Sequence, residues 1–383
     1  MAVTDYELFE LPGKSQLLKL ETSDGLVGWG EPVLESHADT SRTAVEELLE
    51  GYLLGEDPAR IEHHWQRMYR GGFYRGGPVL MSAIAGIDQA LWDIKGKRFG
   101  APAYELLGGR ARDRVRLYEW TGGATPAAVA DDIESGMERG FRAFKMNVVN
   151  EPLGRVAAPE RVSDARERVL AAREAVGDDG HLAVDFHGRV HKSMARRVAR
   201  AIEDAQPLFV EEPVTPENDD AFPRIAASSP VPVATGERLF SRWDFKPLFE
   251  ADAIDVAQPD LSHAGGITEV KKVADAAESY DVALAPHCPL GPVALAACLQ
   301  VDACAPNFLI QEQSCLDGGP PDYVANPGAF DFGDGGYLDL PEGPGLGVEV
   351  DEAVLRETAP DAGGGESWTP PEWRHDDGSV AEQ

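Results

Sequence analysis

The sequence predicts an α/β protein: a (β/α)8 barrel of the TIM type, preceded by an α+β capping unit that the C-terminal tail completes. Three observations predict it. From about residue 115 onward, eight short apolar runs alternate with helical stretches, and eight parallel strands close a barrel. Six of these runs in succession end on carboxylates or imidazoles. The first hundred or so residues follow a different pattern, a hairpin followed by helices.

In the first unit, LLKLET and GLVGWGE alternate apolar and polar residues on either side of Ser23-Asp24-Gly25, a turn signal. Asp57-Pro58 reads as a helix cap with proline in the first turn, opening ARIEHHWQRMYR, in which His63 and His64 are expected at the surface. A glycine-rich loop (Gly71, Gly72, Gly76, Gly77) leads into LMSAIAGIDQALWDIKGK, a long apolar helix ending near Gly100. The barrel strands are expected in VRLYEW, FRAFKMN, LAVDFH, LFVEEP, VPVATGE, AIDVAQPD, VALAPH and FLIQEQ. His263-Ala264-Gly265-Gly266 reads as a turn leading into a helix rather than as a phosphate cradle. Beyond Pro344, GLGVEVDE is expected to add a strand, and the surroundings of Gly363 to Gly365 to form a flexible loop. The division expected is a cap over 1–112, a barrel over 113–343 and a returning segment over 344–383.

Composition narrows the function classes. With 66 acidic and 35 basic residues the chain carries a formal charge of -31, which repels nucleic-acid backbones. The same excess implies self-repulsion at low salt and suits a high-salt cytoplasm. No run is apolar for long enough to span a bilayer, and MAVTDYELFELPGK lacks the basic-then-apolar pattern of a secretory leader. The four cysteines (Cys288, Cys298, Cys304, Cys315) form no CxxC pair and read as reduced cytoplasmic thiols, Cys288 as packing.

The chemistry lies at the strand ends. Asp185 and His187 end one run, and Glu211, Glu237, Asp260, His287 and Glu312 end the next five, each one β/α unit further on. Residues at strand C-termini converge on one mouth of a barrel. Asp185, Glu211 and Glu237, from three adjacent strands, would repel one another unless a cation lies between them. Oxygen-only donors suit Mg2+, and a network with Arg or Lys is the alternative. Strand alternation turns His187 the same way as Asp185, with Phe186 outward; it turns Glu211 inward and Glu212 outward. His287 faces His187 across the mouth, and Asp260 is one strand before it, placed to orient its ring. Glu312, if it lies near a substrate carboxylate, is expected to have a raised pKa and to donate a hydrogen bond when protonated.

At these residues the chain resembles the enolase superfamily, mandelate racemase subgroup. GWGEPV, FYRGGPVLMSAIAGIDQALWDIKGK, DFHGRV, LFVEEPV, GERLFSR, QPDLSHAGGIT, APHCPLGP, IQEQS, PGLGVE and the closing WRHDDGSVAE carry the likeness over nearly the whole chain. The resemblance implies a cap closing over the barrel mouth and Mg2+ on Asp185, Glu211 and Glu237. It implies His287, paired with Asp260, as the base at C2 of an acid sugar, and His187 as the acid for the departing 3-hydroxyl. Glu312 would stabilise the enolate. It implies D-galactonate first as substrate, with D-gluconate or another aldonate as the alternative, and a homo-oligomer. FRAFKMN carries Lys145 but has Asn147 where racemases of the superfamily place a second lysine, which favours dehydration. A metal-dependent hydrolase would need His-x-His on the first barrel strand, which VRLYEW lacks. A non-catalytic sugar-acid binder would not need the full set of acid, base and metal residues.

The charge excess carries its own test. Raising KCl from about 0.1 M to about 1 M shortens the screening length from roughly 10 Å to 3 Å, so the thermal midpoint, followed by circular dichroism, is expected to rise.

Overall fold

The computed structural model describes residues 1–383 except 13–14, 151–152, 154, 156–158, 317, 334, 360–373, 376 and 382–383. The surroundings of Gly363 to Gly365 therefore lie outside the described residues.

The N-terminal unit is an antiparallel sheet of β1 (Val3–Glu10), β2 (Gln16–Thr22) and β3 (Val27–Gly30), followed by helices α1 (Ala38–Leu48), α2 (Ile61–Arg70), α3 (Pro78–Phe99) and α4 (Ala103–Leu106). The β2–β3 hairpin turns at Ser23 to Gly25; β1, which the sequence reading did not anticipate, adds a third strand beside β2. Helix α3 is buried on nearly every side from Met81 to Ile94, as expected of a helix apolar all round. Sheet and helix touch at glycine: a Cβ on Gly30 would stand 1.9 Å from Gly86 O.

Helix α2 starts later than the Asp57-Pro58 signal implied. The Asp57 carboxylate accepts from Ala59 N–H, and its carbonyl meets His64 Nε2 at 2.7 Å, so Asp57 closes a turn before the helix. His64 is buried rather than at the surface, with Nδ1 2.7 Å from the Tyr52 hydroxyl.

The eight expected runs all form strands: β4 (Arg114–Thr121), β5 (Ala143–Asn147), β6 (His181–Asp185), β7 (Val210–Glu211), β8 (Val233–Thr235), β9 (Val256–Ala257), β10 (Ala283–Leu284) and β11 (Gln311–Glu312). Between them run α5 (Pro126–Glu138), α6 (Pro159–Val176), α7 (Lys192–Ala201), α8 (Phe222–Ala226), α9 (Arg242–Glu250), α10 (Ile267–Glu278) and α11 (Pro292–Cys304). Neighbouring strands from β4 to β10 pair in parallel, β11 pairs with β4, and a bridge from Leu284 to Phe308 closes the ring. One apolar side chain from or beside each strand fills the barrel interior: Tyr118, Ala143, Ala183, Phe209, Ala234, Val256, Ala285 and Ile310. Their neighbours of opposite parity, such as Phe144, Val184 and Val210, join the larger core toward the helices. The turn from His263 to Gly266 leads into α10.

The C-terminal segment differs from expectation. GLGVEVDE adds no strand: Val350 makes a single bridge to Val324, and Asp351 caps α12 (Glu352–Thr358). The added strands come earlier, as the hairpin β12 (Phe332–Gly333) and β13 (Tyr337–Asp339), whose second strand pairs antiparallel with the start of β4. The chain then returns to the N-terminal unit. Gly345 exchanges backbone hydrogen bonds with Ala101 and Ala103, and Arg356 pairs with Glu7. Among the described residues no helix is long and apolar enough to cross a membrane.

The Gly30 contact predicts that Gly30→Ala, by forcing β3 away from the α3 backbone, lowers unfolding free energy by about 2–3 kcal/mol, measurable from urea midpoints.

Candidate active site

Asp185 ends β6 and pairs in register with Glu211 at the end of β7. Both lie on the inward parity of their strands, two residues beyond Ala183 and Phe209. Glu237 reaches the same place by another route. Its parity after Ala234 would turn it outward, but Gly236 adopts φ 149°, a conformation suited to glycine. A Cβ on Gly236 would stand 2.7 Å from the Gln258 backbone. One oxygen of each of the three carboxylates lies within 4.8 Å of the others, and all three residues are buried. Burial, then repulsion from Glu211, pushes Asp185 well above the usual carboxylate range, and burial with Glu312 and Glu237 raises Glu211 to about 7. Asp185 Oδ2 has no hydrogen-bond partner. Three converging oxygen donors, one of them orphaned, fit a hard divalent cation, and nothing in the donor set favours a softer metal.

A cation of the chain itself also enters this cluster. Lys145, inward on β5 two residues beyond Ala143, has no exposed surface. Its Nζ lies 2.9 and 3.0 Å from the Glu211 oxygens, 3.1 Å from Glu312 Oε1 and 3.8 Å from Asp185 Oδ2, with the Trp120 ring centroid at 4.4 Å. Burial alone would lower its pKa, but the carboxylates outweigh burial and raise it well above the usual lysine value. The sequence reading noted Lys145 without assigning it to the site. Its signal was a charge in the middle of an otherwise apolar strand run.

Lys145 sets the state of Glu312 where no substrate carboxylate stands beside it. Burial would raise this carboxyl, but Lys145 and then His287 hold it down at about 2, and Trp120 Nε1 and Cys288 N–H donate to it. Glu312 is therefore an anion that accepts hydrogen bonds here, not a neutral donor.

His287 follows β10. Its Nδ1 is 2.8 Å from Asp260 Oδ2, so against an ionised carboxylate Nδ1 carries the hydrogen. Its Nε2 faces the cluster, 3.2 Å from Glu237 Oε2 and 3.9 Å from Glu312 Oε2. Burial opposes a charge on His287, but Glu312, Asp260 and Glu237 together raise its pKa well above the usual value. Asp260 is itself held by the backbone N–H groups of Ser262 (2.6 Å) and His263 (3.2 Å).

His187 does not extend strand β6. Its φ is 53°, and its N–H turns back to Asp185 Oδ1 at 2.6 Å. Phe186 joins the outer core. Burial, followed by Arg189, Lys145 and Arg238, lowers the His187 pKa to about 3, and its Nδ1 has no partner. Glu212, expected to face outward, is buried at φ 43° and binds Arg238 and Thr235. Arg238, which the sequence reading did not single out, also lies 3.7 Å from Glu237. The structure thus brings Asp185, Glu211, Glu237, His287, Asp260 and Glu312 into contact around Lys145, and His187 joins them through Asp185.

Residues 128–354 match the family described as enolase C-terminal domain-like. Residues 14–108 match the mandelate racemase/muconate lactonizing enzyme N-terminal domain. A D-galactonate dehydratase from Ralstonia nicotianae is 51% identical over 390 residues, covering 100% of both chains. Another from Ralstonia pickettii is 51% identical over 387 residues, again covering 100% of both. The crystal structure of an enolase from Agrobacterium radiobacter, with sodium and L-malate bound, matches with a TM-score of 0.91 at 32% identity, covering 100% of both chains. A dehydratase-like protein from Mesorhizobium loti matches with a TM-score of 0.88 at 33% identity, covering 94% of this chain and 99% of that one.

The buried cluster predicts the effect of removing its cation. Lys145→Ala is expected to cost the metal-free protein about 3–5 kcal/mol near pH 8, measured by denaturant unfolding. The loss shrinks as pH falls, because the stranded carboxylates, their pKa values raised by folding, take up protons instead.

Proposed function

The chain belongs to the mandelate racemase/muconate lactonizing enzyme family of the enolase superfamily, and on that premise we propose that it is a hydro-lyase converting D-galactonate to 2-dehydro-3-deoxy-D-galactonate and water. One observation carries this reading: a His287–Asp260 pair whose Nε2 stands 3.2 Å from Glu237, one of three clustered carboxylates, so that a cation held by those carboxylates would relieve the charge that keeps the ring protonated. The 51% identity to D-galactonate dehydratases over the full chain supports the choice of substrate.

In this reading Asp185, Glu211 and Glu237 would hold Mg2+, which would supply Lewis acidity toward the substrate carboxylate and so ease loss of the neighbouring C2 proton. His287 Nε2 takes that proton, while Asp260 keeps the ring in the tautomer that leaves Nε2 free and stabilises the imidazolium that results. Lys145, buried against Glu211 and Glu312, lends positive charge to the site in which negative charge develops as that proton leaves. His187 gives a proton to the departing 3-hydroxyl. Its low pKa leaves the ring neutral at rest, so it takes that proton from solvent before passing it on, an uptake favoured as negative charge builds on the bound substrate. Glu312 borders the enolate; ionised beside Lys145 and His287, it stabilises that intermediate by hydrogen bonding once it has taken up a proton from solvent as the anionic substrate binds. The enol released then tautomerises to the 2-keto acid. Asn147, two residues beyond Lys145, offers no second amine base, which favours elimination over racemisation.

Further properties follow from the same reading. The four free thiols suit a reducing cytoplasm, and the acidic surface suits one rich in salt. We infer a cap (1–112), a barrel (113–343) and a returning segment (344–383); the two family matches fall on either side of residue 112, and the second runs to residue 354, past the start of the returning segment. Self-association is favoured by Phe73 and Tyr74, which stand 91% and 88% exposed beside Arg70 and Arg75. An arginine-flanked aromatic pair complements an acidic surface, and a second copy of this chain presents one.

Purified protein with Mg2+ and molar KCl is expected to form a 2-keto-3-deoxy acid from D-galactonate with a higher kcat/KM than from D-gluconate, and chelation of Mg2+ is expected to stop turnover. His287→Asn should abolish turnover while calorimetry still detects Mg2+ binding. A higher kcat/KM on D-gluconate overturns the substrate assignment, and an active His287→Asn variant overturns the assignment of the base.

A further inference from the structure

The turn that follows β9 carries Asp260, and the cap grips it from outside the barrel. Trp65 Nε1 on α2 donates to Gly265 O at 2.7 Å, and Gln89 on α3 donates to Ser262 Oγ at 3.0 Å. His263 is held at both ring nitrogens. Its Nδ1 meets Ser82 Oγ on α3 at 2.9 Å, and its Nε2 meets Glu35 Oε2, in the segment after β3, at 3.1 Å. The His263 side chain is 8% exposed and the Glu35 side chain 44%, so the line of contacts runs from inside the joint between cap and barrel out to its solvent edge.

The backbone of the same residue serves the barrel. His263 N–H donates to Asp260 Oδ1, beside that of Ser262, and Asp260 Oδ2 holds His287 Nδ1. One line of polar contacts thus runs from Glu35 through His263 and Asp260 to His287. The pair at its outer end is ionic. Burial alone would lower His263, but Asp260 and Glu35 outweigh it and raise the ring to about 9; His263 in turn outweighs burial at Glu35 and holds that carboxyl at about 2.

We propose that His263 is a positioning residue for proton abstraction: clamped by Glu35 and Ser82 of the cap, it fixes the turn whose N–H groups aim the Asp260 carboxylate, and so sets the His287 ring. The inference rests on the reading of His287 as the base. Its physical ground is that a carboxylate orients an imidazole only as well as the carboxylate is itself held. Cap and barrel are then coupled through this line of contacts, so a substitution in the cap reaches the chemistry at C2 without touching the substrate.

The test compares wild-type, His263→Ala and Glu35→Gln holoenzyme with Mg2+, on ordinary and C2-deuterated D-galactonate. For His263→Ala, kcat is expected to fall about 10–100-fold, as small misplacements of a reacting group do. KM is expected to stay within about threefold. The deuterium isotope effect on kcat is expected to exceed that of the wild type, because proton abstraction becomes slower relative to the other steps. Glu35→Gln should shift the isotope effect in the same direction by less. If His263→Ala does not fold, Ser82→Ala removes the Nδ1 contact alone and is expected to raise the isotope effect too. An unchanged isotope effect, with kcat falling only in step with the folded fraction, would make His263 a mere fastening between cap and barrel and overturn the inference. So would an unchanged kcat. A wild type inert on every aldonate, by contrast, would overturn the dehydratase reading itself.

Discussion

Burial of like charge at the barrel mouth is the constraint on which the rest of this structure depends. Asp185, Glu211, Glu237 and Glu312 occupy one small volume with almost no solvent. Lys145 alone touches three of them, and the His287 ring touches Glu237. An ammonium at that position keeps Glu312 ionised while Glu211 and Asp185 remain raised. The cluster is therefore short of positive charge even with Lys145 present, and the unbalanced part lies among the three carboxylates best placed to share an ion. Such an arrangement is poor for stability and well suited to chemistry, because an incoming cation and an anionic substrate each find groups already aimed at them.

The joint between cap and barrel uses buried acids differently. Glu31, on the segment after β3, accepts from the N–H groups of Gly291 and Ala294 at the start of α11. Asp88 accepts from the backbone and hydroxyl of Thr268 near the start of α10, and Asp93 from Trp29 and Leu346. Burial raises Glu31 and Asp88 to about 7 despite these bonds. The helices so capped follow directly on the turns that carry Asp260 and His287. The N-terminal unit is thus fastened to the two barrel turns nearest the base, while the carboxylate cluster is built from the barrel alone, at its strand ends and the turn after β8.

Much of the fold was legible because its periodicities are local. An apolar run followed by an amphipathic stretch marks a β/α unit wherever it occurs, and eight of them imply closure. The elements that were missed lack such a signal. β1 contains Asp5, Glu7 and Glu10 and pairs along a single edge, so its alternation is blurred. The β12–β13 hairpin is too short for a period to show. Asp57-Pro58 has the composition of a helix cap but spends its side chain on a turn two residues on.

By itself the sequence determined how many barrel strands there are and which polar groups stand at their ends, because both follow from residues adjacent in the chain. Only the tertiary structure decided how those groups act on one another. Glu237 joins Asp185 and Glu211 against its strand parity because Gly236 turns the backbone where the Gln258 backbone stands too close for a side chain. Glu312 is an anion because a lysine two strand positions away around the ring, remote in sequence, ends within 3.1 Å of it. Protonation, orientation and mutual shielding depend on distances between strands, and those exist only once the barrel has closed.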